Sequence, residues 1–312
     1  MEVDKTAASY DAIAKMRAGD RCSKERPFRF FNNYVKKALI QCALDHVKHR
    51  AGQRDAIVLE LASGRGGDLG KWLYCQSPEL SFATSKLPRE RLSKAVFVDC
   101  YDISHECIAE AASRYEQLGK GQECQCSFSV RDCFSEEFLL HELPASENYG
   151  KFDIVSIQFA LHYACSTMES IDRLLGAISR AMTPVGIFIA TTVDEDALAA
   201  RVSAKQIGPR GLFAIHMEGE PQWDGNKLAI GTKYRFELEG FVDCDEYVVP
   251  LTFIRDRARH YGMEELTEFS KPFESFYVEY KNNSSKNKGL YLTRNELELI
   301  MLYRSLCFRK VT

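Results

Sequence analysis

The sequence predicts an α/β fold, a mainly parallel sheet flanked by helices. Three observations carry this reading. Apolar runs of strand length alternate with stretches of helical spacing between residues 57 and 192. The first run, Ile57–Leu61, leads into a glycine loop, Ala62-Ser-Gly-Arg-Gly-Gly-Asp68, and then a helix-like segment from Leu69. Acidic residues fall at or just past the ends of the first three runs, at Glu60, Asp102 and Asp132. Strand, glycine loop and helix in succession is how an open α/β sheet holds a nucleotide-like ligand.

The elements follow in order. Asn32–Arg50 has helical spacing, with Tyr34, Ala38, Leu39, Cys42, Ala43 and Val47 on one face. Ala95–Asp102 reads as a second strand, followed by a helix through Ile108, Ala111, Ala112 and Tyr115. Gln125–Arg131 is a third strand and Phe152–Gln158 a fourth, with a helix around Ile171–Met182 behind it. Gly186–Thr192 is a fifth. Beyond it the rhythm changes. Residues 200–231 are Gly-rich and irregular and are expected to form an insertion loop, functional or mobile. Tyr234–Leu238 and Phe241–Val249 read as later strands. After the polar stretch Asn282–Gly289, a last helix from Thr293 is expected to carry Tyr303 beside Leu299 and Leu306–Phe308.

Composition narrows the class. The 312 residues, 45% hydrophobic and 27% charged, suit one enlarged globular domain, expected to span 1–312. No apolar run approaches the ~18–20 residues that cross a bilayer. Residues 1–15 carry Glu2, Asp4 and Asp11 and no apolar leader region. Eleven scattered cysteines without a CxxC pair exclude a zinc or disulfide scaffold, so no metal is expected and a reducing compartment is. The net charge of −3 hides an asymmetry: Lys15 to Arg54 holds eleven Lys/Arg against three acids, net +8. This basic, helical segment, residues 1–54, reads either as a local phosphate footprint or as a solvated amphipathic helix.

The loop selects among cofactors. A dinucleotide site needs G-x-G-x-x-G, with pyrophosphate resting on a helix N-terminus. Gly64-Arg-Gly-Gly-Asp68 lacks the third spaced glycine and sets a carboxylate where phosphate would lie. S-adenosylmethionine brings no phosphate, and its ammonium and sulfonium are positive, so Glu60 and Asp68 become favourable. Asp102 is placed to accept hydrogen bonds from two ribose hydroxyls, and Asp132 from an adenine amino group. Glu60 would face the methionine end, directly or through water. These acids at successive strand ends predict a class I S-adenosylmethionine-dependent methyltransferase, with a Rossmann-like, mainly parallel seven-stranded sheet.

Four segments name a family. Arg29-Phe-Phe-Asn32-Asn33-Tyr34-Val35-Lys36 resembles the FNN-W-x-K segment of eukaryotic mRNA cap guanine-N7 methyltransferases. The glycine loop resembles their D-L-G-C-G-K-G-G-D-L-x-K-W, and Asp102-Ile-Ser…Arg114-Tyr115 their D-I-A…R-Y at the same spacing. Gln158-Phe-Ala-Leu-His162-Tyr163 is similar to Q-F-x-x-H-Y. Matches continue at Phe236-Glu-Leu-Glu-Gly, Asp245-Glu246-Tyr247 and Leu297…Tyr303, in family order, from about Tyr10 to Phe308.

The resemblance implies a cofactor site of Lys36, Glu60, Ala62, Gly64, Asp102, Asp132, Gln158 and Tyr163. It implies that Asn32, Phe134, His162, Tyr163, Glu246 and Tyr303 position the cap guanine, with Tyr10 in an N-terminal wall. Three departures stand out. Glu60 replaces Asp, and Ala62-Ser63 replaces Gly-Cys, which suits the loop where residue 62 keeps a negative φ. Val193 stands where the family often has Pro.

The chemistry is consistent with those groups. Guanine N7 carries a free lone pair at neutral pH, so methyl transfer is an in-line displacement that needs no general base. Its demands are proximity and charge placement, worth roughly 7–11 kcal/mol in favourable cases. A carboxylate such as Glu246 suits the N1–H and N2–H₂ donor edge and the cationic product. Aromatic faces such as Tyr303 and Phe134 stack a base for ~1–3 kcal/mol each. Taken singly, Tyr303 reads as a core tyrosine, His162 as a structural histidine and Asn32-Asn33 as a helix cap; their joint spacing overrides this. The expected partner is capped RNA, with other capping enzymes or an activating subunit in attendance. A monomer in the nucleus is expected, or in the cytoplasm where capping occurs there. The alternatives are a methyltransferase of a small metabolite and a non-catalytic cap-binding module. No K-x-D-G guanylyltransferase motif is present.

Overall fold

The computed structural model describes residues 2–17, 27–51, 55–73, 94–118, 124–205, 211–283 and 291–311. Helix α1 (Glu2–Arg17) is followed by α2 (Pro27–Arg50), which begins one turn earlier than the spacing predicts. Proline is at home in a first helical turn, where its missing N–H loses no partner. Phe28 and Phe31, buried on the added turn, extend the apolar face.

Strand β1 (Ala56–Leu61) and the short α3 (Leu69–Leu73) bracket the glycine loop. Then come β2 (Ala95–Asp102), α4 (His105–Gln117), β3 (Gln125–Val130) and β4 (Phe152–Gln158). Helix α5 (Met168–Ala181) leads to β5 (Met182–Val193) and α6 (Glu195–Ser203). Their caps are legible locally. Ser104, Thr167 and Asp194 each accept a backbone N–H of the first turn, the role for which short oxygen-bearing side chains are favoured.

The stretch expected as an irregular insertion loop at 200–231 carries short regular elements between irregular connections. It contains the end of α6, β6 (Phe213–Met217) and a small hairpin of β7 (Trp223–Asp224) and β8 (Lys227–Leu228). Residues 206–210 lie outside the described set, as do 74–93 and 284–290. The glycines at 211, 219, 225 and 231 have positive φ and mark the ends of these short strands. Too few residues lie between the turns for a period of two to register.

Next come β9 (Lys233–Leu238), β10 (Val242–Tyr247), α7 (Leu251–His260) and β11 (Met263–Glu265). The chain ends with α8 (Phe273–Asn283), α9 (Arg294–Ile300) and β12 (Tyr303–Lys310). Tyr303 therefore opens a strand and is not on the last helix. β12 is buried on both faces, so the i, i+3, i+4 spacing of its apolar residues carries no helical meaning.

The main sheet has seven strands in the order β11-β12-β5-β4-β1-β2-β3. β5, β4, β1, β2 and β3 run parallel, while β12 is antiparallel to both β5 and β11. One face buries α2 with Phe31, Leu39, Ile154 and Trp72; the other buries α5 and α7 with Leu174, Ile178, Val155 and Ile254. Removing a fully buried ring such as Phe31 by Phe→Ala would cost ~3–5 kcal/mol. A second, antiparallel sheet, β10-β9-β6, joins the α2 side through Tyr234 and Phe236. Strand order reverses between β1 and β4, which opens a crevice at their carboxyl ends where open α/β sheets bind ligands. No helix among the described residues is long and apolar enough to cross a membrane.

Candidate active site

A cleft of about 1080 Å³ occupies that crevice. Lys36, Ala62, Gly64, Asp102, Asp132 and Gln158 line it, and so do Asn32, Phe134, His162, Tyr163, Glu246 and Tyr303. Of the acids picked from sequence for the cofactor, Glu60 and Asp68 do not line it.

The glycine loop turns sharply beneath one end. Ala62, Gly64 and Gly66 have φ of 55°, 54° and 66°. The condition under which alanine suits position 62, a φ that is not positive, is therefore not met: the residue takes the left-handed region at a cost of roughly 1–2 kcal/mol. At Gly66 a Cβ would lie 3.0 Å from Ala111 Cβ and 3.1 Å from its Cα, so an added side chain would also press on α4. The loop is tied to the second strand, because Gly64 N–H donates to Asp102 Oδ2 at 2.7 Å. Ser104 N–H donates to Asp102 Oδ1 at 2.9 Å. Burial pushes the Asp102 carboxyl up, and these backbone donors work against that. Each oxygen of Asp102 accepts one of these bonds and keeps a second lone pair for further donors. Asp132 is likewise raised by burial and accepts from Phe134 N–H at 3.2 Å.

Asp68 and Glu60 behave differently from each other. Burial alone would raise Asp68, but Lys36 and Lys71, at 2.8 Å and 2.6 Å, hold it well below the usual carboxylate range. Glu60 lies behind the loop, accepts from Trp72 Nε1 at 3.1 Å, and is raised by burial and by the Asp68 charge. Lys36 thus faces the cleft with its charge partly balanced by a carboxylate that it shares with Lys71.

At the other end, β9 and β10 pair so that Tyr234 stands directly opposite Glu246. Tyr234 Oη donates to Glu246 Oε2 at 2.8 Å. Glu246 Oε1 lies 3.5 Å from His162 Nε2. At that distance the contact resembles an ion pair, but burial holds His162 neutral down to about 3 and keeps Glu246 protonated up to about 8. The charges needed for an ion pair do not coexist, so we read two neutral groups in contact. Asn32 Oδ1 and both ring nitrogens of His162 are buried without a hydrogen-bond partner among the described residues. Such orphans cost ~1–3 kcal/mol each unless something bonds them. In a cleft, water or a ligand with polar edges can supply those bonds.

Aromatic rings frame these groups. Tyr303, paired with Val193 across β12 and β5, is met edge-on by Phe159 at 5.2 Å. Phe159 has φ of 58°, unusual for a bulky residue, and its N–H is anchored by Thr191 Oγ1 at 3.0 Å. Tyr10 of α1 closes the wall, its hydroxyl 2.8 Å from that of Tyr163. Asp11 bonds Ser104, so α1 spans from the second sheet to α4 across the cleft.

The basic segment contributes less than expected. Arg21, Lys24, Arg26 and Arg54, and the side chains of Lys15 and Arg17, lie outside the described set. Lys48 and Arg50 sit in the last turn of α2, ~28–32 Å along the helix from Arg29. Cationic groups gather instead at one side of the cleft. Arg29 and Arg114 line it, and Arg65 joins them from the loop. Arg29 is lowered by burial and then by the charges of Arg114 and Arg65.

Tyr234, Phe159 and Arg65 were not singled out from sequence. For Tyr234 the signal was present: a Glu239-Gly240 turn between two alternating runs makes a hairpin whose pairing sets it across from Glu246. Nothing local marks Phe159, whose backbone is set by the strand beside it. Among the described residues, no group of three or more His, Cys, Asp or Glu is arranged to hold a metal ion.

This geometry can be set beside known proteins. The sequence profile of the mRNA (guanine-N(7))-methyltransferase domain matches residues 3–310. The chain belongs to that family. It is similar to the mRNA cap guanine-N(7) methyltransferase of Candida glabrata, 31% identical over 86% of this chain and 61% of the relative. It is also similar to those of Drosophila melanogaster, 28% identical over 96% of this chain and 66% of the relative, and of Schizosaccharomyces pombe, 28% over 82% and 64%. The chain thus spans just under two thirds of the length of each of these family members. Among solved structures, it shares its fold with the magnesium protoporphyrin IX methyltransferase of Synechocystis PCC 6803, at TM-score 0.50, 11% identity, and coverage of 99% and 100% of the two chains. The CcbJ methyltransferase of Streptomyces caelestis is similar in fold at the same TM-score of 0.50, 11% identity, and coverage of 97% and 98%.

Proposed function

We propose that this chain transfers a methyl group from S-adenosylmethionine to N7 of the guanosine that caps RNA, acting as one catalytic domain over residues 1–312. The observation that carries the reading is that Asp102 and Asp132 line the same cleft as Asn32, His162 and Glu246. One end is thus acidic and glycine-lined, and the other presents orphaned polar atoms between aromatic rings.

The residues suit the cofactor. The free lone pairs of Asp102 would accept from ribose hydroxyls, and Asp132 from the adenine amino group. Gly64 and Ala62 let the ligand approach the backbone, with Gln158 and Tyr163 on the opposite wall. Lys36 acts through Asp68, and Glu60 acts from behind the loop by holding Trp72. The cofactor supplies an electrophilic methyl on a sulfonium.

The chain then positions the acceptor. Guanine N1–H and N2–H₂ would donate to Glu246, and those donors would favour its carboxylate form. His162 and Asn32 supply the polar atoms that lack partners, and Tyr303 and Phe134 supply ring faces. No residue need remove a proton, because N7 carries none. Catalysis is alignment of two bound groups, plus a carboxylate beside a base that becomes cationic. Arg29, Arg65 and Arg114 would receive the phosphates that link cap to transcript. We propose a monomer acting in mRNA maturation, in the nucleus.

Incubation with GpppA-ended RNA and methyl-labelled cofactor, followed by nuclease digestion, tests the reading. Label on guanine N7 is expected. No transfer, or label on a ribose or an internal base, overturns it.

A further inference from the structure

Two strand ends meet behind the cleft, and one hydroxyl joins them. In the pairing of β4 with β5, Gln158 stands opposite Thr191. Thr191 is fully buried and does not line the cleft. Its hydroxyl donates to Gln158 Oε1 at 3.1 Å and accepts from Phe159 N–H at 3.0 Å. The same N–H reaches Thr191 O at 2.9 Å, so it has two acceptors on one residue. Gln158 Nε2 donates in turn to Ser156 Oγ at 3.1 Å.

This clamp holds the turn on which the acceptor end of the cleft depends. Phe159 is the first residue past β4, and its φ of 58° swings the chain out of the sheet. A bulky residue keeps such a backbone only where its surroundings over-determine it. The turn sets two things. A single 3₁₀ turn, Leu161–Ala164, starts two residues on and brings His162 and Tyr163 into the cleft. The Phe159 ring meets Tyr303 edge-on at 5.2 Å and Phe273 at 6.0 Å, and Phe273 packs 5.9 Å from Tyr303, so the three rings hold one another. A Phe159 relaxed to negative φ would redirect both the ring and the chain that carries His162. Valine has the shape of threonine but neither donates nor accepts. In its place Gln158 Oε1 would lose its donor, and Phe159 N–H one of its two acceptors.

We propose that Thr191 is a positioning residue for the methyl acceptor: from outside the cleft, its hydroxyl holds the Phe159 turn and with it the places of His162 and Tyr303. The proposal rests on the cap-methylation reading for the identity of the acceptor.

Thr191→Val, Thr191→Ser and Thr191→Ala separate hydroxyl from packing. Val keeps the shape and loses the hydroxyl, Ser keeps the hydroxyl and loses a methyl, and Ala loses both. The readouts are steady-state kinetics with GpppA, calorimetry with the cofactor, and NMR of the His162 ring in histidine-labelled protein. In Val and Ala, KM for GpppA is expected to rise about fivefold, the order of one hydrogen bond. The His162 ring resonances should move in the same two variants. Ser should match wild type in both readouts, and cofactor affinity should stay near wild type in all three. Val matching wild type while Ser follows Ala would make Thr191 a packing residue and overturn the proposal. Equal loss of cofactor and GpppA in Val would also overturn it, because the hydroxyl would then act through Gln158. Should Val fail to fold, Ser against Ala isolates the hydroxyl by itself. The NMR arm needs no methyl transfer. Methylation by wild type with unchanged KM in Val sinks this proposal alone. His162 resonances that move in Val and Ala but not in Ser, with no transfer by wild type, support the positioning and sink the cap reading alone.

Discussion

Tyr234 and Glu246 face each other across β9 and β10, and the tyrosine hydroxyl donates to one carboxylate oxygen at 2.8 Å. The bond fixes the carboxyl rotamer and leaves the second oxygen aimed at His162 and the cleft. Glu246→Ala should abolish cap methylation while cofactor affinity stays near wild type. Tyr234→Phe should raise KM for GpppA by about tenfold, the order expected for one hydrogen bond to a charged group. Calorimetry with the cofactor and steady-state kinetics with GpppA check both; parallel loss of cofactor binding would make Glu246 a structural residue.

The same burial predicts a pH dependence. Glu246 has its usual 4.5 raised to about 8, so the folded chain keeps a proton that the unfolded chain releases. Stability should fall as pH climbs between those two values and level off above the higher one. Glu246→Gln cannot titrate and should lose less Tm between pH 5 and pH 8.5, the remainder reflecting Glu60, which is also raised. In activity the sign reverses. Guanine needs the carboxylate, so KM for the capped substrate should fall as pH rises from 6.5 to 8.5, with His162 neutral throughout. A flat KM profile would remove the Glu246 carboxylate from recognition.

Asp102 joins the glycine loop to β2 through Gly64 N–H. Asp102→Ala should weaken the cofactor first, by tenfold or more for the lost charged acceptor. KM for GpppA at saturating cofactor should move less. Unchanged cofactor affinity would exclude Asp102 from the ribose role.

Ala62, at φ of 55°, is strained where glycine would not be. Ala62→Gly should stabilise the protein by about 0.5–1 kcal/mol, the relief of the left-handed backbone less the entropy glycine loses on folding. Ala62→Val should destabilise it. Urea melts read both, and a neutral result for glycine would mean that the loop relaxes around alanine.

Much of this molecule was legible in its residues. The parallel strands and their helices showed because βαβ units alternate over short sequence distances, and apolar runs bounded by caps need no distant partner to be recognised. Asp102 and Asp132 showed for the same reason, since a strand end is a local event. β12 did not show: a strand buried on both faces loses its period of two, and the leucines around Tyr303 imitate a helix. The short strands inside 200–231 did not show, because strands of two to five residues between glycines leave no pattern.

Sequence by itself determined the fold class, the glycine loop and the family, all of which rest on contiguous patterns. Tertiary structure decided the rest. Whether Glu60 faces the cleft or stands behind it, whether His162 and Glu246 are charged, and which cations gather at the mouth depend on burial and on neighbours brought in from other elements of the fold. Desolvation and Coulomb interaction act through space, and no spacing along the chain encodes them.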